Sequence, residues 1–493
     1  MNSKIVLISS IIGGFTTLSG YTQERKAPNI IFILADDIGY NDFGCYGSTK
    51  IKTPFVDSIA SKGVRFTNAY APASTSSPSR YALLTGEYAW RKNVGILPAD
   101  APLSIDSAKT TLPGFLRKSG YRTALVGKWH LGLGRQTVPV NFNEKIDHGP
   151  LTIGFDYAYY FPATNDRVPC VFIENEQVDK LDLKDPILVS YRKKVGSDYT
   201  GKENPDQLIL EPYMGHNATI VNGISRIGWM SGGHAARWKD EEMATVLLNK
   251  AKSYINQQGD KPFFLYYAPH NAHEPRVPSK AFRGKSSAGI YGDVIEEFDY
   301  CVGELVKVLK QKGIYENTII IISSDNGPMV KEGYKDGALE NINGHTPFGV
   351  LRGEKYSLYE GGTRVPFIFS WPRIIKQPFT QKQAYSYLDM LATLSGILQI
   401  PMSNAECNDS KNGAELFMNA NAPLYREFII IQNNGGQVAL RKRNWKYIPP
   451  YAQFGGELYN LETDPSEKTN VIANYPEQVK EFKIYLERSK LNI

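Results

Sequence analysis

Four groups of polar residues in this chain have types and spacings that could do chemistry. Asp36-Asp37 stands directly after the apolar run NIIFILA, and Asp325-Asn326-Gly327 follows TIIIISS. Adjacent carboxylates repel each other unless a cation joins them, and hard oxygen donors suit Ca²⁺ or Mg²⁺. The plain alternatives are an N-cap with a solvated charge at the first pair and an Asx turn at the second. Two oxygen pairs, each at the end of an apolar run, favour the cation. The third group is Ser76-Ser77-Pro78-Ser79-Arg80, followed by Leu83-Leu84-Thr85-Gly86. A Ser-rich loop entering a helix describes the backbone. It does not explain Arg80 in the first turn, where a cation is disfavoured unless an anion is bound. The fourth group is dispersed over Gly127-Lys128-Trp129-His130, the stretch PHNAHEP (residues 269–275, with His270 and His273), and Arg352-Gly353-Glu354-Lys355. Lys and His at the ends of buried strands are poor core residues. Singly each is more often surface; together they form a cationic cluster facing a metal, which suits a sulfate or phosphate ester.

The elements that must position these groups alternate. Asn29–Ala35, Thr123–Val126, Phe263–Ala268, Thr318–Ser323 and Phe367–Phe369 are continuous apolar runs, as expected of parallel strands buried on both faces. Thr53–Gly63, Glu241–Gln258 and Ile290–Lys312 have helical spacing. Such alternation predicts an α/β chain with a doubly wound parallel sheet, whose ligands bind at the carboxyl ends of the strands. From Ser403 the pattern changes to short strands (Phe428–Gln432, Gln437–Arg441, Lys446–Ile448) and a closing helix over Tyr475–Leu491, a small α+β subdomain. Residues 156–238 are polar, aromatic and weakly periodic, and read as an insertion shaping a substrate pocket.

Composition narrows the classes. Hydrophobic residues at 42% and charged residues at 22% exclude a disordered or fibrous chain. Lys+Arg 56 against Asp+Glu 50 gives only +6, with no long basic run, so nucleic acid is not implied. A basic start and an apolar stretch to Leu18 read as a signal peptide over residues 1–20, too short and polar for a membrane span. The expected location is periplasmic or secreted. The four cysteines, Cys45, Cys170, Cys301 and Cys407, form no C-x-x-C pair and are expected to be mostly free thiols.

Ser76-x-Pro78-Ser79-Arg80 with LLTG resembles the maturation signature of the sulfatase family, in the version with Ser where many members have Cys. NIIFILADD, GKWHLG, APHNAHEP, SSDNG, KYSLYEGGTR and the closing LYNLETDPSE are similar to sulfatase blocks in the expected order. The resemblance implies an alkaline-phosphatase-like, doubly wound mixed sheet flanked by helices. It implies a catalytic domain over residues 28–402 and a C-terminal antiparallel-sheet and helix subdomain over 403–493. It further implies that Ser76 is oxidised to formylglycine (3-oxoalanine) by a maturase that accepts Ser, and that unmodified Ser76 leaves the enzyme nearly inactive. Asp36, Asp37, Asp325 and Asn326 would bind Ca²⁺, with Mg²⁺ as the alternative, together with residue 76. Arg80 would hold the charge of the hydrate. Lys128 and His130 would support nucleophile and sulfate, His273 would protonate the leaving oxygen, and Lys355 would bind a sulfate oxygen.

The insertion is similar to blocks of exo-acting carbohydrate sulfatases, closest to the N-acetylgalactosamine/galactose 6-sulfatase group. Asp166, Arg167 and His234 are the candidate sugar contacts, with His345 a weaker one and His216 and His270 left as scaffold or as supports of residues that touch the substrate. The expected substrate is thus a 6-sulfated galactose or N-acetylgalactosamine of a glycosaminoglycan or mucin glycan. The alternatives are another sugar position, an aryl sulfate, or a phosphate or phosphonate monoester. A sugar-binding protein without catalysis would not need metal ligands and nucleophile together. A plain serine hydrolase lacks its G-x-S-x-G elbow here.

Overall fold

The structure is a computed structural model that describes residues 26–491 except Thr137, Met214 and residues 404–408. The expected signal peptide and Cys407 therefore lie outside the described residues.

The main sheet is built on four apolar runs. Thr318–Ser324, Asn29–Ala35, Phe263–Ala268 and Arg122–Lys128 lie side by side in that order, all parallel. Nearly every residue in them is buried, which is why the runs read as continuous rather than alternating. Helices Met243–Gln257 and Gly289–Gln311 pack their apolar stripes against this core.

The sheet is mixed, which corrects the all-parallel expectation from strand–helix alternation. Arg364–Ser370 runs antiparallel to Thr318–Ser324 on one side and to Val64–Tyr70 on the other. The physical reason lies in the connection. Between Asp325 and Thr363 the described chain has only two four-residue helices, so no full crossover helix carries it back to the start of the sheet. Val64–Tyr70 has alternating polar residues and escaped the apolar-run criterion. The insertion is also not wholly separate. Its first strand, Tyr157–Phe161, extends the main sheet in parallel beside Arg122–Lys128. The rest includes two small antiparallel pairs, Leu188–Ser190 with Trp229–Ser231 and Ile220–Val221 with Ile224–Ser225.

After residue 428 the chain forms a four-stranded antiparallel sheet, Ile429–Gln432, Val438–Lys442, Trp445–Ile448 and Glu457–Asn460. Strand side chains alternate between faces, and here both faces are covered. Ile430, Leu440, Tyr447 and Leu458 pack with Val479, Phe482 and Leu486 of helix Pro476–Leu491, and with Ala82 and Tyr88. Ile429, Ile431, Ala439 and Tyr459 pack on Tyr70 and Leu358. Cys45, Cys170 and Cys301 are free thiols, the last two buried. No helix among the described residues is long and apolar enough to cross a membrane.

Candidate active site

Ser76 opens helix Ser76–Thr85, all of whose residues are buried. The loop before it is held from several sides. Ser79 Oγ donates to the Ala73 carbonyl (2.8 Å), the Tyr356 N–H donates to the Ser74 carbonyl (2.9 Å), and the Ser74 N–H donates to the Gln432 carbonyl (2.8 Å). Asp36 and Asp37 leave the end of Asn29–Ala35. Asp325 and Asn326 leave the end of the adjacent Thr318–Ser324 strand. Parallel register therefore puts the two oxygen pairs side by side: the Asp37 N–H donates to Asp325 Oδ1 (3.3 Å), and Asn326 Nδ2 donates to Asp37 Oδ1 (2.7 Å). Gly327 is required by close approach, because a Cβ there would sit 1.9 Å from the Gly361 carbonyl oxygen.

The cations converge on the same point. Lys128 Nζ lies 2.7 and 2.8 Å from the two oxygens of Asp36 and 3.0 Å from Ser76 Oγ. Ser76 Oγ also lies 3.3 Å from Asn326 Oδ1. Arg80 donates through Nε (3.1 Å) and Nη2 (2.7 Å) to Asp325 Oδ2 and reaches the Tyr266 hydroxyl at 3.3 Å. This answers the question of a cation in the first helical turn, since its anion is Asp325. Lys355 Nζ bridges Asp37 and Glu332 at 2.9 Å each, and His273 Nε2 stands 3.9 Å from Asp37.

Burial and pairing set the charges. Burial pushes the Asp36 carboxyl up to about 6, against the pull of Lys128. Burial also raises Asp325, but Arg80 and Lys128 outweigh it and hold that carboxylate well below the usual range. Burial lowers Lys128. It would lower Lys355 too, but Asp37 and Glu332 hold that ammonium well above its ordinary value. His130 donates from Nε2 to the Leu97 carbonyl (2.9 Å), and burial, with Lys128, pushes its pKa well below the usual imidazole value. The ring is neutral, and its Nδ1 is a buried acceptor without a partner. His273 Nδ1 lies 2.6 Å from the Glu274 carbonyl, which only accepts, so Nδ1 carries a proton.

Four residues around this cluster have left-handed backbone: Asp37 (φ 59°), His130 (φ 56°), Ala272 (φ 79°) and Tyr356 (φ 75°). For non-glycine residues each costs of order 1–3 kcal/mol, and such strain gathers at functional sites.

The residues fit a hard divalent cation. Asp36, Asp37 and His273 offer ligand atoms all within 4.8 Å of one another. Asp325 Oδ1 and Asn326 Oδ1 add a carboxylate and an amide oxygen alongside, the donor chemistry of Ca²⁺ or Mg²⁺.

Of the expected sugar contacts, Asp166 and Arg167 lie beside the cluster. Asp166 is buried, bonded to His216 Nε2 (3.1 Å) and close to Arg167 (3.4 Å). Burial would raise its carboxyl, but Arg167, the His216 hydrogen bond and the His273 charge together hold it well below the usual range. His216 thus stands as a support of Asp166. His234 is elsewhere: its ring is mostly exposed and engages Asp185 (2.8 Å) and Asp198 (3.4 Å). His345 is buried against Asp42 (2.7 Å), whose other oxygen accepts from the Tyr291 hydroxyl (2.7 Å), behind the Asp36-Asp37 loop. His270 stacks edge-on to Phe161, and burial lowers its pKa to about 4, consistent with a scaffold role. Glu332 and Tyr356 were missed. Lys355, and next His273, outweigh burial and hold the Glu332 carboxyl at about 2, and the Tyr356 hydroxyl donates to it. Only the adjacency of Tyr356 to Lys355 hinted at them.

Comparison with known proteins agrees with this geometry. The sulfatase family model matches residues 28–400. The chain is 47% identical to an N-acetylgalactosamine-6-O-sulfatase of Bacteroides thetaiotaomicron, over 95% of this chain and 94% of that protein. It is 32% identical to human arylsulfatase A over 77% of this chain and 66% of that one. A solved structure from work on glycosaminoglycan metabolism by Bacteroides thetaiotaomicron superposes with a TM-score of 0.91 at 46% identity, covering 94% of this chain and all of that one. A crystal structure of Ps i-CgsB in complex with a neocarrahexaose superposes at 0.69 with 25% identity, covering 94% and 93%. With strand-end acids, helix-borne serine and converging cations all in one site, the chain belongs to the sulfatase family, enzymes that hydrolyse sulfuric esters.

Proposed function

We propose that this sulfatase removes the 6-sulfate of galactose or N-acetylgalactosamine at the end of a glycan. The observation that carries the chemistry is Ser76 Oγ, 3.0 Å from Lys128 Nζ and 3.3 Å from Asn326 Oδ1, at the start of a buried helix. The sugar assignment is supported by the 47% identical N-acetylgalactosamine-6-O-sulfatase and by the buried Asp166–His216 pair with Arg167. The neocarrahexaose bound to Ps i-CgsB supports a polymer-borne substrate.

Ser76 in its formylglycine form would supply a hydrated aldehyde, with one hydroxyl to attack sulfur and a second to release sulfate; Asp36, Asp37, Asp325 and Asn326 would hold Ca²⁺, which would lower the charge cost of ionising it. The other roles follow from the side chains. Lys128 and Lys355, both buried, offset the negative charge of the sulfate oxygens, and such charges act strongly away from water. Arg80, fixed on Asp325, keeps positive charge at residue 76. Neutral His130 offers Nδ1 as a hydrogen-bond acceptor. His273, whose Nδ1 proton is engaged by Glu274, becomes an imidazolium when Nε2 is protonated and delivers that proton to the leaving sugar oxygen.

The reading includes export after loss of residues 1–20, to the periplasm or outside the cell, and maturation by a Ser-accepting formylglycine-generating enzyme. It divides the chain into a catalytic unit over 28–402 and a C-terminal subdomain over 403–493. The test is a panel of monosulfated sugars offered to matured protein, alongside an aryl sulfate and a phosphate monoester. Turnover of the 6-sulfated galacto sugars is expected. Turnover confined to other sulfate positions or to gluco sugars would overturn the sugar assignment; turnover of the phosphate ester alone would overturn the sulfate chemistry in this chain.

A further inference from the structure

We infer that a cleft at the seam of the two sheets is an outer glycan subsite, which holds the sugars that continue the substrate chain beyond the sulfated residue. The inference rests on the glycan reading above. The cleft measures about 500 Å³ and lies between the Trp90–Gly95 segment and the C-terminal sheet. Its polar lining is Asn93, Gln432, Asn434, Gln437 and Lys490, and its aromatic lining is Trp90 and Tyr451.

Both walls of the cleft lie a short way along the chain from the catalytic centre. On one wall, the segment past Gly95 reaches Leu97, whose N–H donates to Ser77 Oγ (3.2 Å) and whose carbonyl accepts from His130 (2.9 Å). Gly95 and Leu97 are two residues apart, so at most about 7 Å of chain separates the cleft from the residues flanking the nucleophile. On the other wall, Gln432 runs beside the Ser76 loop, exchanging backbone hydrogen bonds with Pro72 (2.9 Å) and Ser74 (2.8 Å).

The lining chemistry selects the occupant. Side-chain amides donate and accept at once, which matches sugar hydroxyls. Phe454 stacks on the Tyr451 ring (4.9 Å between centroids), while Tyr451 itself stays 38% exposed, an electron-rich face of the kind on which pyranose C–H bonds pack. Among the described residues no carboxylate lines the cleft and Lys490 is its cation, so the neighbouring sugar can be anionic. The Gly435-Gly436 turn keeps the rim open: Gly436 has φ 77° and a Cβ there would meet nothing within 4 Å.

The experiment compares kcat/KM of matured full-length protein on N-acetylgalactosamine-6-sulfate and on a trisaccharide that ends in the same sugar followed by glucuronate. Wild type, Tyr451→Ala and Lys490→Ala are measured; neither residue belongs to the catalytic cluster. The expected result is a loss on the trisaccharide of about three- to tenfold per variant, with the monosaccharide unchanged. Equal losses on both substrates, or no loss on either, would overturn the subsite. If wild type turns over neither substrate, the glycan reading fails and calorimetry with the unsulfated trisaccharide decides the cleft. Binding weakened by Tyr451→Ala supports the subsite, and no binding to wild type removes it.

Discussion

At the ends of the parallel strands, Lys128 and Lys355 each meet an aspartate and then a second group, Ser76 in one case and Glu332 in the other. At the seam with the C-terminal sheet, Lys446 lies between Glu360 (3.0 Å) and Glu467 (2.8 Å), with the Tyr70 hydroxyl on Glu360 (2.6 Å), and these too are buried. The residue types are alike and the consequences differ. Around Ser76 the buried cluster leaves unpartnered acceptors and hydroxyls, His130 Nδ1, Ser74 Oγ and Thr75 Oγ1, and strained backbone at four positions. Around Lys446, Glu467 also has left-handed backbone (φ 51°), and its Oε1, 2.8 Å from Lys446, makes no hydrogen bond of good geometry, but the charges face one another and tie two elements together. Glu360 ends the segment that carries Lys355, and Arg352 near its start donates to the Tyr459 hydroxyl (3.1 Å) and the Glu467 carbonyl (2.7 Å). The first cluster sets a serine hydroxyl and a free imidazole acceptor among its charges; the second closes its charges on each other as a joint.

Substitutions that separate the two clusters sharpen this contrast. Ser76→Ala should abolish sulfate release, by about 10⁴-fold or more, with thermal stability nearly unchanged. Lys446→Met should do the reverse. It removes the cation shared by two buried carboxylates, leaving Glu360 to Arg364 (3.6 Å) and Arg441 (3.8 Å), costs about 3 kcal/mol of stability, and is read as a fall in the denaturant midpoint. If Lys446→Met spared stability and removed activity, the division between chemistry and joint would fail.

The pH response should separate them too. Burial pushes the Glu467 carboxyl up to about 7; Lys446 pulls it down and Glu360 pushes it further up. A carboxyl raised in the folded state contributes stability that is full below its ordinary value near 4.5 and is lost as pH rises through about 7. Glu467→Gln should therefore flatten the decline of Tm between these pH values while leaving the slope below 4.5 as in wild type. A decline of the same steepness in the variant would remove Glu467 from this role.

The smallest effect is expected at the sugar side of the site. Asp166→Asn or His216→Gln should lower kcat/KM about tenfold on 6-sulfated N-acetylgalactosamine and less on a 6-sulfated gluco sugar, through loss of oriented hydrogen bonds. Equal losses on both sugars would assign the pair to support of His273 instead.

Much of the catalytic cluster was legible because each member follows a feature that chain-local physics exposes: an apolar run, a Ser-rich helix start, or a lysine where a core strand ends. The antiparallel Arg364–Ser370 strand was not, since direction depends on the connection rather than on composition. Glu332, and the partner of His216, were hidden for a related reason. Lys355 and Asp166 stand 23 and 50 residues away in the chain, and nothing periodic in their surroundings fixes where these side chains point. His234, set among glycines, looked more like a motif than His216 did, yet Asp185 and Asp198 hold it on the surface.

The central claim is that Ser76 becomes the nucleophile only after oxidation. The direct measurement is a titration of conversion against activity. The chain is co-expressed with graded amounts of a Ser-accepting maturase, the Ser76 peptide is weighed for loss of two hydrogens, and sulfate release from N-acetylgalactosamine-6-sulfate is followed in the same samples. The account predicts that the rate rises in proportion to the converted fraction and is near zero without conversion. Full activity from protein whose Ser76 peptide is unmodified would contradict it.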